Sequence, residues 1–237
     1  MEKLYYEKQI PVLMRDCDMF RRLKPSVLLA MFQDCSEDLT EAWGVGLDAM
    51  LQRGAIWVAA KVSCAARRLP EHGETVTVRG WAGRSRGGIC PFHYELLDAA
   101  GALCVTGCSL WVLADRETRS MMGPHVPKLA LPTPEPEGTR LPRMEAITAP
   151  EHYADFARRV RYSEVDINGH LTNTRYVDWM SDLLAPDLHR DHPMTALRIN
   201  YRAEIFPEEE PVLRWACDGE RLWCRSDGRF EAMMKFS

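Results

Sequence analysis

The chain of 237 residues contains no apolar run near the roughly 18 residues that a membrane-spanning helix needs. Its opening, MEKLYYEKQIPV, lacks the apolar stretch of an export signal. No membrane span is therefore expected, and the location expected by default is cytoplasmic. A basic excess is missing too: 30 Lys and Arg face 34 Asp and Glu, a formal net charge of −4, so no bias towards nucleic acid exists and any basic surface must be local. Eight cysteines are present without one CxxC pair, and the CxxxC of Cys104 and Cys108 has no second pair to complete a tetrahedral site. These cysteines sit mostly in apolar or strand-like runs and read as small buried hydrophobes, so no metal is expected.

What the sequence does have is an internal repeat. Laying IPVLMRDCDMFRRLKPSVLLAMFQD over VRYSEVDINGHLTNTRYVDWMSD places Asp18 on Asp166, Phe20 on Asn168 and Arg22 on His170, with one apolar helix falling on the other. The second copy keeps a dense polar set, Asp166, Asn168, His170 and Asn173, which the first has lost. A duplicated unit with one copy equipped for chemistry leaves the other copy available for a different task.

Around the repeat, the pattern of each half is strand, one helix, then a run of strands. Pro25 and Ser26 open a helix whose stripe is Val27, Met31, Cys35 and Leu39, ending near Trp43 and Gly44. Strands are predicted at 56–65, 75–81, 89–97 and 103–113, separated by turn-like breaks. Residues 123–150 hold seven prolines and read as an extended linker. Beyond it, the expectation is a strand at 156–162, a helix at 173–184 and strands at 196–205, 212–217, 222–225 and 230–236. One helix followed by an antiparallel meander hides its apolar stripe when the curved sheet wraps around it. Two such units pair edge to edge, giving an α+β double hot-dog: an N-terminal unit at 1–122, the linker at 123–150 and a C-terminal unit at 151–237.

The plain reading of the polar loop is structural. Asp and Asn before a helix often serve as turn residues, and Asn173 or Thr172 is placed to cap the helix. The first half argues against this, since it keeps the helix without the Asn and His. Gly169 also permits an unusual backbone angle or a close approach beside His170.

At this point the residues resemble a known family. YSEVDINGHLTNTRYVDWM is similar to the D-x-N-x-H-x-x-N-x-x-Y-x-x-W signature of the acyl-acyl carrier protein (acyl-ACP) thioesterases of plant plastids and bacteria. INYRAEIF resembles that family's Y-R-x-E segment, which places Glu204 on its catalytic glutamate, and LWVLADRETRSMM resembles its W-x-x-x-D-x-x-T-R segment through Trp111, Asp115, Thr118 and Arg119. The resemblance covers nearly the whole chain. It implies a double hot-dog, hydrolysis of fatty acyl-ACP thioesters with ACP as partner and no cofactor, and Asp166, Asn168, His170 and Glu204 as the catalytic set. Many relatives carry cysteine directly after the glutamate; Ile205 stands here, which excludes a thiol nucleophile at that position.

Thioester hydrolysis needs a placed water, a base and donors for the oxyanion. Glu204 or Asp166 is the expected base or carboxylate nucleophile, His170 the activating or orienting group, Asn168 the group that positions water or carbonyl, and the amides of the second helix the oxyanion donors. The N-terminal unit is expected to hold the acyl chain, with Met31, Phe32, Ile56, Trp57 and Val58 as candidate lining. Basic candidates for docking an acidic carrier are Arg84 and Arg86, Arg67 and Arg68, and Arg158, Arg159 and Arg161. Alternatives are a hot-dog acyl-CoA thioesterase and a non-catalytic acyl-binding module. Free sheet edges leave room for a homodimer.

Overall fold

The computed structural model describes residues 4–86, 88–122, 129, 131–132, 146–148 and 150–237, so most of the expected linker lies outside the described residues. Ten antiparallel strands form one sheet: β1 (Tyr6–Pro11), β2 (Ala55–Ala66), β3 (Thr75–Ala82), β4 (Ile89–Leu97), β5 (Leu103–Asp115), β6 (Ala154–Ala157), β7 (Met194–Tyr201), β8 (Val212–Cys217), β9 (Arg221–Ser226) and β10 (Phe230–Phe236). Their order across the sheet is β1-β3-β4-β5-β2-β7-β10-β9-β8-β6. Read outwards from the middle, the second half repeats the first, with β2 matched by β7 and β1 by β6. The joint obeys a two-fold rule: Lys61 pairs with Asn200 and Ala65 with Ala196, centred on Ser63 opposite Arg198. This is the self-complementary pairing by which two equal units close on each other.

The first helix, α1 (Pro25–Ala42), buries Leu28, Leu29, Met31, Phe32, Cys35 and Leu39, a continuous face at helical spacing. Each such side chain contributes about 1.5–3 kcal/mol on burial. Two glycines let α1 press onto the sheet. A Cβ on Gly80 would lie 2.2 Å from Cys35 Sγ, and one on Gly107 would lie 2.4 Å from Phe32 Cε2. In the second half, α3 (Arg175–Ser181) buries Tyr176, Val177, Trp179 and Met180.

The sequence overlooked two short helices, α2 (Leu47–Gln52) and α4 (Pro186–Asp191). Each is six residues long, below the length at which periodicity declares itself. The strand expected at 156–162 is found at Ala154–Ala157; past it only alternate amides, Arg158 and Val160, reach the Pro211 and Glu209 carbonyls, at 3.2 and 3.1 Å, before a 3-10 turn at Tyr162–Glu164. The strand expected at 196–205 ends at Tyr201, where the amides of Arg202 and Ala203 both turn to the Arg229 carbonyl, at 2.8 and 3.1 Å. That early exit throws Glu204 off the sheet and into the loops beside α3.

Candidate active site

The duplicated loops have one backbone. Asp18 N–H donates to the Arg22 carbonyl at 2.8 Å, and Asp166 N–H to the His170 carbonyl at 3.0 Å. Asp18 Oδ1 accepts the Phe20 amide at 2.9 Å, and Asp166 Oδ1 accepts the Asn168 amide at 2.8 Å. Arg21, with φ +70°, takes the place of Gly169, with φ +81°. Asp is therefore a turn-maker in both copies, which explains why it alone survives in the first. The match extends further: Leu23 N–H reaches the Pro70 carbonyl as Leu171 N–H reaches that of Ile205, at 2.7 and 2.8 Å. Leu69, buried and apolar, thus stands where the second half has Glu204.

In the second half the loop brings three of the four expected residues together. His170 Nε2 lies 3.3 Å from Glu204 Oε1, and His170 Nδ1 lies 4.0 Å from Asp166 Oδ2. Nδ1 is also 3.3 Å from the Leu171 carbonyl, so both ring nitrogens face oxygen acceptors and the ring is held in orientation. All three side chains are 13–21% exposed, sheltered but reachable by water. Asn168 is exposed, and its backbone amide rather than its side chain is what ties it to Asp166.

The loop hangs on Glu164. Its Oε1 accepts Trp179 Nε1 at 2.8 Å and Arg158 Nη2 at 3.0 Å, and Oε2 accepts the Arg161 amide at 2.9 Å. The Glu164 carbonyl takes both the amide and the hydroxyl of Thr172. Burial opposes its charge, yet the bonds from Trp179, the Arg161 amide and Arg158 hold its carboxyl below the usual range. Asn173 gives its carbonyl to the Tyr201 hydroxyl at 2.8 Å. Neither Asn173 nor Thr172 caps α3: the residue before the helix is Thr174, and no side chain bonds the helix end. The plain capping reading therefore fails for both.

Two arginines missed as functional candidates complete the cluster. Arg119, from the loop after β5 in the first half, donates Nη1 to Glu204 Oε1 at 2.9 Å. Arg229 donates to the Glu204 carbonyl and, at 2.8 Å, to Glu209. Arg119 stands in the motif segment after Trp111, but spacing could not show that it meets Glu204, which lies far along the chain, and Arg229 falls in no motif. In the first half, Arg22 at the histidine's position instead reaches across to the His189 and Arg190 carbonyls at the end of α4. The position that faces Glu204 in one copy is a strut between halves in the other.

A small, largely apolar cleft lies between one turn of α1 and the residues just before α3. Leu29, Phe32, Ala59, Val62 and Trp111 form its first-half walls; Asn173, Thr174 and Tyr201 bring it to the chain neighbours of His170 and Glu204. Of the five lining residues anticipated from sequence, Phe32 alone lines it. One wall carries a relay of hydroxyls. Trp111 Nε1 donates to Ser109 at 2.7 Å, Ser109 and Tyr94 are 2.5 Å apart, Tyr94 contacts Ser36, and Ser36 donates to the Phe32 carbonyl at 3.2 Å. An indole can only donate and a carbonyl only accept, so every proton in the relay has one direction and every hydroxyl is satisfied. Burial pushes the Tyr94 hydroxyl well above its ordinary value, so it stays neutral.

The family model for the acyl-ACP thioesterase N-terminal domain matches residues 3–125, and that for the C-terminal domain matches residues 148–218. The chain belongs to the acyl-ACP thioesterase family. Among relatives, it is 27% identical over 173 residues to the chloroplastic acyl-[acyl-carrier-protein] hydrolase of Cuphea viscosissima, covering 67% of this chain and 40% of that protein. Over 178 residues it is 27% identical to the chloroplastic dodecanoyl-[acyl-carrier-protein] hydrolase of Cinnamomum camphora, covering 70% and 45%. The matched stretch thus spans less than half of these relatives. Two solved structures in the family's fold superpose over 98% of the chain: the acyl-ACP thioesterase of Bacteroides thetaiotaomicron (TM-score 0.82, 19% identity, 98% of that chain) and the 12:0-ACP thioesterase of Umbellularia californica (0.78, 18%, 97%). At these identities the likeness establishes the double hot-dog fold. Among the described residues no helix is long and apolar enough to cross a membrane.

Proposed function

We propose that this protein hydrolyses fatty acyl-ACP thioesters to free fatty acid and holo-ACP. The observation that carries the reading is the cluster of Asp166, His170 and Glu204 in a chain of the acyl-ACP thioesterase family, with an apolar cleft lined by Asn173 and Tyr201, which follow His170 and precede Glu204 closely in the chain. The first unit, at 1–122, holds the acyl chain along α1, and the second, at 151–237, does the chemistry.

A thioester carbonyl is electrophilic enough that the enzyme's task is to place and deprotonate a water. Glu204 is the favoured base, because it is sheltered and shares His170; Asp166 orients the loop through its amide bonds and stands next in line for that role. His170 fixes the direction of the Glu204 carboxylate through Nε2. Asn168 is exposed at the loop tip and acts by meeting the substrate at the thioester end. The first amides of α3, which follow the cleft residues Asn173 and Thr174, are the source of oxyanion donors.

The carrier is an acidic protein held by local basic surface. Arg68 is already tied to Glu74 and Asp98, and Arg158 to Glu164 and Asp182, which leaves the exposed Arg67, Arg84, Arg86, Arg159 and Arg161 as the better candidates. The deciding experiment is thiol release from a chain-length series of acyl-ACPs, with matching acyl-CoAs in parallel and Glu204→Gln as control. Preference for acyl-ACP, abolished in the control, is expected. Preference for CoA overturns the choice of carrier, and no hydrolysis of either overturns catalysis.

A further inference from the structure

We propose that Arg119 is a positioning residue of the catalytic centre, supplied by the half that lost its own polar set. The inference rests on the hydrolase reading above. Glu204 Oε1 is shared: Arg119 Nη1 donates to it at 2.9 Å while His170 Nε2 lies 3.3 Å away on the other side. Among the described residues no other cationic side chain touches that carboxylate, since Arg229 bonds the Glu204 backbone instead. A carboxylate held by one oxygen between a guanidinium and an imidazole has its second oxygen left to address a water. Without the guanidinium, a side chain on a loop just past the end of β7 has only the imidazole to fix it.

The loop that presents Arg119 is built to hold it in one conformation. Arg119 has φ +57°, a region L side chains rarely adopt, at a cost of about 1–2 kcal/mol. Asp115 Oδ1 accepts the amides of Glu117 and Thr118 at 3.0 and 2.8 Å and the Thr118 hydroxyl at 3.0 Å. The Arg119 amide donates to the Asp115 carbonyl at 2.9 Å, and the Asp115 amide donates to the Ser120 carbonyl at 2.9 Å. These bonds close a tight loop whose strained residue points its charge across the joint between halves. Backbone strain retained at the one residue that crosses to the site is what a functional constraint produces. It also gives Thr118 and Asp115 of the first-half motif a purpose that their exposed position alone does not explain.

The strained φ supplies a clean test. Arg119→Gly relaxes the backbone while deleting the guanidinium, and Arg119→Asn, also tolerant of this φ, repeats the deletion without added backbone freedom. Both are expected to fold with an unchanged melting temperature or a raised one. Turnover, read on whichever of acyl-ACP or acyl-CoA the wild-type protein hydrolyses, is expected to fall about 10- to 100-fold in kcat with KM nearly constant, the range that follows from misplacing a reacting group by about 1 Å. Millimolar guanidinium is expected to recover part of the loss in Arg119→Gly, and Arg119→Lys to lie between wild type and the deletions. A crystal structure of Arg119→Gly gives a readout that needs no substrate: the Glu204 carboxylate is expected to leave His170. Wild-type kcat in a folded variant, a loss confined to KM, or a Glu204 carboxylate unmoved beside His170 each overturns the assignment. If the wild-type protein hydrolyses neither thioester, the hydrolase reading fails by itself, and the position of Glu204 still decides whether Arg119 places it.

Discussion

Glu164→Gln is the substitution that tests most sharply how the loop of Asp166 and His170 is held. The change is nearly isosteric, so packing survives and only hydrogen bonding and charge are altered. In the wild-type protein two donors, Trp179 Nε1 and Arg158 Nη2, converge on Oε1 and one, the Arg161 amide, on Oε2. A carboxamide has one acceptor oxygen. If that oxygen keeps the Oε1 place, its NH2 faces the Arg161 amide and leaves a sheltered donor unpaired, which costs about 1–3 kcal/mol. Arg158 loses its charged partner but keeps Asp182 at 2.7 Å, so its loss stays well below the about 3–5 kcal/mol of a fully broken buried pair. Together these give about 2–4 kcal/mol, or a fall in Tm of about 5–15 °C for a chain of this length. The pH dependence has a definite sign. The folded-state pKa of Glu164 is lowered, so its contribution is present above the unfolded value of about 4.3 and disappears as pH falls through the folded one. The gap in Tm between wild type and Glu164→Gln is therefore expected to narrow on acidification below about pH 4. Differential scanning calorimetry across that range is the assay. A gap under about 2 °C at neutral pH, equivalent to less than about 1 kcal/mol, refutes the claim that this carboxylate anchors the loop.

Three further outcomes follow from the same geometry. Asp166→Asn and Glu204→Gln are each expected to lower kcat about 100-fold or more with unchanged melting, and near-normal turnover in either removes that residue from the mechanism. Ala59→Phe, which projects a ring into the cleft wall, is expected to move the preferred acyl chain to shorter lengths in the acyl-ACP series, while Met31→Trp, aimed into the core behind α1, is expected to destabilise without such a shift; equal selectivity in a folded Ala59→Phe places the chain elsewhere. Of the eight free cysteines only Cys217 is not buried, and burial pushes the thiols of Cys64, Cys108 and Cys224 up to about 12, so a thiol reagent at neutral pH is expected to label one cysteine rapidly and the rest only on unfolding.

The reading from sequence succeeded where physics is local. Periodicity located α1 and most strands to within a residue or two, because apolar spacing responds directly to which face is buried. It erred where tertiary bonds end an element. The segment 202–205 carries a strand-like sequence, yet Arg229 draws two successive amides off the ladder and Glu204 swings out. The helix predicted at 173–184 is confined to Arg175–Ser181, since Asn173 is tied to Tyr201 and Thr172 to Glu164. The cleft takes little of the anticipated acyl lining for a related reason: Met31 and Ile56 are apolar and buried, as Leu29 and Phe32 are, but one-dimensional pattern cannot separate the side of a helix or strand that meets solid core from the side that meets a gap.

What the sequence by itself determined is the duplication, the pairing of one helix with one curved sheet in each half, and the loss of the polar set from the first copy. Each of these is written in residue types at fixed intervals, so each survives being read along a line. Only the tertiary structure decided that the aspartate of the repeat is a turn-maker in both copies, that Arg22 braces α4 where His170 faces Glu204, and that the half without the polar set sends Arg119 into the site of the other. The first rests on local bonds whose geometry residue types do not record; the other two depend on which strand ends lie side by side once β2 pairs with β7, and that pairing joins residues 61–65 to 196–200, far too distant along the chain for any spacing to record.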